Sequence, residues 1–180
     1  MKLTIPAGPF AGYIFDCDGT LADTMPLHYR AWKRLVEELG GSFSEQLFYQ
    51  WGGRPTTRIL ELLRDDYGLA VSDVHMLAER KEGYFVELIH EVKPVEPVLD
   101  IARRLHGTVP LAVASGGFRQ LVEQTLEVIG IRQLFAAVVC AEDSPVGIQA
   151  AEAAGMQWVF LPRNDGGTIE TSPSLVTSSL

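Results

Sequence analysis

Three short apolar, β-prone runs, each stopping in acidic residues or glycine, constrain this chain more than anything else in it. They are AGYIFDCD at 11–18, PLAVAS at 110–115 and FAAVVCA at 135–141. A run that is apolar throughout, rather than alternating, reads as a strand buried on both faces, the environment of a parallel sheet. Parallel neighbours need a crossover of about a dozen residues or more, usually a helix. Residues 118–129 supply one, with Val122, Leu126 and Ile129 on one face and Gly130 as the stop. Residues 145–154 supply another, with Ser144 as N-cap, Pro145 at the first helical position and Gly155 as the stop. A fourth, shorter strand is expected at QWVFLP, 157–162. The fold class is therefore α/β, with a Rossmann-like parallel sheet as its core.

Residues 24–94 break that rhythm. Leu27, Ala31, Leu35 and Leu39 recur every fourth residue before Gly40-Gly41, and further helical patterns run over 44–50, 55–66 and 72–91. This is an all-helical insertion, a cap over 24–94, and Pro94 and Pro97 mark the return to the core. The core is expected over 1–23 and 95–163. The Ser-, Thr- and Gly-rich stretch 164–180 is read as a disordered tail.

Composition narrows the partners. Fifteen Lys and Arg against 23 Asp and Glu give a net charge of −8, the wrong sign for a nucleic-acid binder. Two cysteines, Cys17 and Cys140, do not make a disulfide framework. No apolar run approaches the roughly 20 residues of a membrane span, and the first ten residues lack the apolar stretch of a signal peptide. A soluble, cytoplasmic, monomeric protein with no membrane or nucleic-acid partner is expected. The insertion carries a net charge of −2 and the rest −6. Three of the core acids, Asp16, Asp18 and Asp143, follow expected strands, and ligands of open α/β sheets bind at strand C-terminal ends. An anionic substrate at such a site needs a cation beside it.

FDCDGTLADT, 15–24, is the stretch that carries chemistry. Asp16 and Asp18 stand two apart at a strand end, where period-two alternation points both the same way until Gly19 lets the chain turn. Two carboxylates this close repel unless a metal or a shared proton relieves them. Hard oxygen ligands suit Mg2+, which also binds phosphate oxygens. One carboxylate could then attack phosphorus while the other protonates the leaving oxygen and activates water. An acidic turn, with Asp23 or Thr24 capping the next helix, would explain the two acids alone.

The full string resembles the first motif of the haloacid dehalogenase-like phosphohydrolases, in particular their β-phosphoglucomutase and sugar-phosphate phosphatase branch. The resemblance covers 11 to about 162. It implies Asp16 as nucleophile, Asp18 as general acid/base, and a Mg2+ held by Asp16, the Asp18 backbone carbonyl and a later acid. Ser115 in AVASGG matches the second motif, where the hydroxyl and the amides after it, with Gly116 and Gly117 letting backbone come close, would hold phosphate. EDSPVGIQAA matches the fourth motif and implies Asp143 as a further Mg2+ ligand with Glu142 beside it. The insertion resembles the family's helical cap, and His28 matches a histidine that assists proton transfer in the mutases. Arg54, Arg58 and Lys81 are bases of the insertion that can face a substrate phosphate, or be solvated helix charges.

One part of the pattern is missing. The family's third motif, a Lys followed by Pro between the second and fourth, has no counterpart, because all four lysines (Lys2, Lys33, Lys81 and Lys93) precede Ser115. The 28 residues from Ser115 to Asp143 hold one helix and one strand, so the core is read as shortened by one helix-strand unit. The strand at 135–141 is then expected beside the first strand, bringing Asp143 to Asp16. Arg119 and Arg163 are the bases available to replace the Lys. The implied activity is Mg2+-dependent hydrolysis of a small phosphorylated sugar through an aspartyl phosphate. A hexose-phosphate mutase, and a non-catalytic protein that keeps only metal and phosphate binding, stay open as alternatives.

Overall fold

The computed structural model of the chain describes residues 8–140 with Leu3 and Ile5, and the backbone of 159–160 and 170–171. Strand β1 spans Tyr13–Phe15 and is followed by four helices, α1 Met25–Glu38, α2 Glu45–Gln50, α3 Thr56–Asp65 and α4 Val74–Leu88. The chain then passes through α5 Glu96–Leu105, β2 Leu111–Ser115, α6 Arg119–Val128 and β3 Ala137–Cys140. Strands β1, β2 and β3 pair in parallel in that order, with Phe15 opposite Val113 and Ser115 opposite Cys140. The parallel α/β core and the helical insertion after its first strand are thus as the sequence implies.

Local chemistry sets the helix limits. Helix α1 stops where Gly40 takes φ +79°, and the amides of Gly40 and Gly41 donate to Glu37 O and Val36 O at 3.0 and 2.9 Å. Ser44 Oγ accepts from Leu47 N at 3.1 Å to open α2, and Asp73 Oδ1 accepts from the amides of His75 and Met76 to open α4. Within the insertion α1 and α3 both pack on α4, burying Trp32, Leu35, Leu60, Leu63 and Phe85. Two chain crossings join the insertion to the sheet, and they are tied to each other: Asp23 N donates to Lys93 O at 2.8 Å and Val95 N to Leu21 O at 2.9 Å.

The sheet corrects three expectations. First, β3 lies beside β2, not beside β1. The chain steps outward from β1 to β2 and then to β3, each time through a connection that ends in or contains a helix, so consecutive strands are neighbours. The end of β3 therefore stands two strand spacings, about 10 Å, from the end of β1. Second, among the described residues one face of the sheet is well buried and the other is not. Leu111, Val113 and Val138 pack on the side of the crossover helices, whereas on the other side Ile14 is 52% and Val139 56% exposed. Third, a further strand pair, β4 Val159–Phe160 and β5 Glu170–Thr171, runs antiparallel and separate from the sheet. The strand expected at 157–162 is thus paired outside the parallel sheet. Glu142, Asp143, Arg163 and the helix expected at 145–154 lie outside the described residues. Among the described residues no helix is long and apolar enough to cross a membrane.

Candidate active site

The site forms where β1 and β2 end. After Phe15 the chain turns tightly: the amides of Thr20, Leu21 and Ala22 all donate to Cys17 O, and Gly19 sits at φ +75°. That turn leaves Asp16 and Asp18 facing the end of β2 and the start of α1. Cys17 between them points inward and is fully buried. Burial, then the charges of Asp18 and Asp16, push its thiol well above the usual range, so it stays protonated and serves as packing.

Asp18 is the hub. Its Oδ1 accepts from Thr24 Oγ1 at 2.7 Å and lies 3.5 Å from His28 Nε2, and its Oδ2 accepts from Ser115 Oγ at 3.4 Å. Burial would raise this carboxyl, but the imidazole of His28, the Thr24 hydroxyl and the Lys81 charge outweigh it and hold Asp18 below the ordinary carboxylate range. Thr24 precedes α1 and is fully buried, yet its hydroxyl makes no capping bond; it is given to Asp18 instead. Pro26 in the first turn of α1 removes one amide that a cap would have served.

Asp16 is placed differently. Water reaches its carboxyl, which accepts from Thr20 Oγ1 at 3.0 Å, but the surround is dense protein. Desolvation, and then the neighbouring charge of Asp18, raise Asp16 to about 7. The two carboxyls thus titrate apart, and without a metal the proton that the pair retains rests on Asp16 rather than on Asp18.

The second strand contributes a cradle. Gly117 N donates to Ser115 Oγ at 3.1 Å, and a Cβ built at Gly117 would meet Val122 Cγ2 at 3.2 Å, Ser115 Oγ at 3.3 Å and Asp18 Oδ2 at 3.4 Å. The absent side chain leaves that space beside the hydroxyl and the carboxylate. Nothing lies within 4 Å of a Cβ at Gly116, so the chain is open to solvent or a ligand on that side of the turn.

Of the insertion residues singled out in the sequence, His28 and Lys81 reach the site and the two arginines do not join them. Lys81 is 3% exposed and bonded to His28 Nδ1 at 2.9 Å. Arg58 instead pairs with Glu61 on the outer surface of α3, and Arg54 is exposed on the turn before that helix. Arg119 donates to Val138 O at 2.9 Å, which ties it to the sheet edge and not to the carboxylates. Thr20, Thr24, Thr56 and Glu82 were not read as site residues. Thr20 and Thr24 reach Asp16 and Asp18 from four and six residues away, whereas Thr56 and Glu82 meet across the fold, 26 residues apart.

The donor set fits a hard divalent cation. Asp16 and Asp18 supply oxygen ligands of the kind Mg2+ takes, and a carboxyl raised to about 7 beside a second carboxylate is a site short of positive charge. Among the described residues no three His, Cys, Asp or Glu side chains are gathered to complete such a site, so its other ligands come from beyond them or from solvent and substrate.

Fold and site define a class: Rossmann-like α/β proteins with an acidic pair at the end of the first strand, a Ser-Gly-Gly turn at the end of the second, and a helical insertion whose histidine reaches the acids. The family profile described as haloacid dehalogenase-like hydrolase matches residues 13–145, and the chain belongs to that family. It is 33% identical to the fructose-1-phosphate phosphatase YqaB of Escherichia coli, a match that covers 83% of this chain and 95% of that protein. It is 25% identical to a phosphorylated carbohydrates phosphatase of Thermotoga maritima, over 82% of each chain. Among solved structures, CbbY of Rhodobacter sphaeroides in complex with phosphate superposes with a TM-score of 0.64 at 21% identity, over 81% of this chain and 73% of that one. The match to the E. coli protein runs over 181 positions but uses only 83% of these 180 residues, so that relative carries roughly 30 positions that this chain lacks.

Proposed function

We propose that this protein hydrolyses the phosphomonoester of a small phosphorylated sugar, with Asp16 as nucleophile and Asp18 as general acid/base. The observation that carries the reading is the unequal pair of carboxyls: Asp18 anchored by Thr24, Ser115 and His28, and Asp16 open to solvent and unanchored except by Thr20. Asp16 is free to attack a phosphorus held at the Ser115-Gly116-Gly117 turn. The bond formed is Asp16 Oδ–P and the bond broken is P–O to the sugar, whose oxygen takes from Asp18 a proton that Asp16 gives up as it becomes the nucleophile. Asp18 then accepts a proton from the water that cleaves the acyl phosphate, and Asp16 is restored.

A bound Mg2+ would neutralise charge on the phosphate oxygens and keep Asp16 ionised at working pH. Asp16 and the Asp18 backbone carbonyl would hold it, with Asp143 and Glu142 as the further acids. Cys140, the last residue of β3, stands about 10 Å from the end of β1, a distance that the three residues Ala141–Asp143 can span when extended. The sugar phosphatases among the relatives support the substrate class.

A second reading rests on one observation. No lysine follows Ser115, and among the described residues the buried cation near Asp18 is Lys81, already held by Glu82 and His28. Loss of a preorganised charge from such a site costs on the order of 10² to 10³ in rate. A protein that binds phosphate and metal without turnover fits that loss. Phosphate release from a panel of sugar phosphates, with Mg2+ and with EDTA, tests both. Turnover that needs Mg2+ and is lost in Asp16→Asn supports hydrolysis. Mg2+-dependent phosphate binding by a folded chain without turnover supports the second reading.

A further inference from the structure

The hydrogen-bonded chain that ends at Asp18 begins deep in the helical insertion. Lys81 Nζ lies 2.9 Å from His28 Nδ1 and 3.1 and 3.2 Å from the two carboxylate oxygens of Glu82. Thr56 Oγ1, at the start of α3, donates to Glu82 Oε1 at 3.1 Å. Three helices thus meet at this point: α3 through Thr56, α4 through Lys81 and Glu82, and α1 through His28. The imidazole stacks on Phe85, with ring centroids 4.0 Å apart and planes 11° from parallel, so it cannot turn over without unpacking α4.

The chemistry of the donors fixes protons that no coordinate shows. An ammonium has three protons and no lone pair, so Lys81 can only donate. Nδ1 of His28 is therefore the acceptor, and in a neutral ring the proton sits on Nε2. Nε2 is the atom that faces Asp18 Oδ1 at 3.5 Å. A ring whose Nδ1 accepts from an ammonium keeps its lone pair there and is the neutral form. The opposite tautomer would turn a lone pair toward the Asp18 carboxylate.

We propose that Glu82 and Thr56 are positioning residues of this site: they hold the Lys81 ammonium against His28 Nδ1, and so lock the ring as the Nε2–H tautomer that faces Asp18. A buried ammonium without a carboxylate partner moves toward water or gives up its proton, and either change removes the donor from Nδ1. Glu82 prevents this by engaging Lys81 with both oxygens, and Thr56 prevents Glu82 from swinging out by holding one of them. Neither residue touches Asp18. The lock itself does not depend on what reaction Asp18 performs, whereas its effect on turnover rests on the hydrolytic reading above.

The test is nitrogen-15 NMR of the full chain labelled at histidine, slightly above neutral pH, with the His28 signals assigned by His28→Gln. The parent should show one protonated Nε2 and one lone-pair Nδ1. Lys81→Met and Glu82→Ala should give averaged signals from a tautomer mixture, and Thr56→Val a smaller shift the same way. Lys81→Met combined with Glu82→Gln removes both charges at once, so no ion is left buried alone, and it should show the same mixture in a chain whose helical circular dichroism matches the parent. In turnover, Glu82→Gln should lower kcat about tenfold or more with KM little changed, as expected when reacting groups are misplaced rather than binding lost. A parent ring protonated on Nδ1, or a pure Nε2–H tautomer that persists in the folded double variant, overturns the proposal. Tautomers that behave as stated in a chain without phosphatase activity leave the lock standing and refute the hydrolytic reading alone.

Discussion

Replacing Asp16 by Asn should make the metal-free protein more stable, and by an amount that depends on pH. The folded chain raises this carboxyl from 3.8 to about 7, so folding favours its neutral form. Between those values the native state binds a proton that the unfolded state has released, and stability therefore falls as pH rises from about 4 to about 7, then levels off. At about 1.4 kcal/mol per unit, a dry site would lose roughly 4 kcal/mol. Water reaches Asp16, and screening reduces this to on the order of 1–2 kcal/mol. Asn has nearly the same shape, keeps an oxygen for Thr20, and carries no charge to titrate. Urea unfolding in EDTA at about pH 8 should show Asp16→Asn more stable by that amount, and the gain should shrink toward zero near pH 4. Saturating Mg2+ should reverse the order above pH 7, because the ion stabilises the parent by mass action and finds a poorer ligand in the variant. A variant no more stable than the parent at high pH, or an advantage that stays constant on acidification, would refute the claim that this carboxyl is electrostatically burdened.

Other outcomes follow from single contacts. Thr24→Val keeps the shape of a fully buried residue but removes the 2.7 Å bond to Asp18, and should cost about 1.5–3 kcal/mol in urea unfolding, with a fall in turnover. Gly117→Ala should leave the melting temperature nearly unchanged while weakening inhibition by inorganic phosphate, since its Cβ enters the space beside Ser115 Oγ and Asp18 Oδ2. Phe85→Ala removes a ring that is 1% exposed and stacked under His28, and should cost about 3–5 kcal/mol in chemical denaturation. Asp143→Asn should raise the Mg2+ concentration needed for half-maximal turnover by tenfold or more, and an unchanged requirement would remove Asp143 from the metal site.

Much of this was legible in the sequence because it is local. The apolar runs ending in acids and glycines gave β1, β2 and β3, and the i, i+4 apolar pattern with Gly40 behind it gave α1. Asp16, Asp18 and Ser115 could be expected at one end of the sheet because strand ends place side chains predictably. What was missed lies in pairings between distant segments. The position of β3 depends on crossover direction, which residues 135–141 do not encode themselves. Thr24 looked like a helix cap, and only the proximity of Asp18 reveals why its hydroxyl leaves that duty. Glu82 and Thr56 are 26 residues apart and ordinary in composition, and only the packing of α3 on α4 joins them. Arg58 lies away from the acids because a basic residue near a helix start is as well served by a neighbouring acid such as Glu61.

The two crossings between sheet and insertion are stapled together by the bonds Asp23 N to Lys93 O and Val95 N to Leu21 O. A single tether would let the insertion swing in any direction, and two separate tethers would resist all swinging. Two tethers joined side by side behave as a door hinge. Rotation about the line through both is left free, and torsions flanking the staple must change in both strands at once to permit it. Because His28 follows one of these strands closely, such a rotation carries its imidazole toward or away from Asp18 along one path. The distance from Nε2 to Oδ1, 3.5 Å here, is then the coordinate that reads the angle of the door.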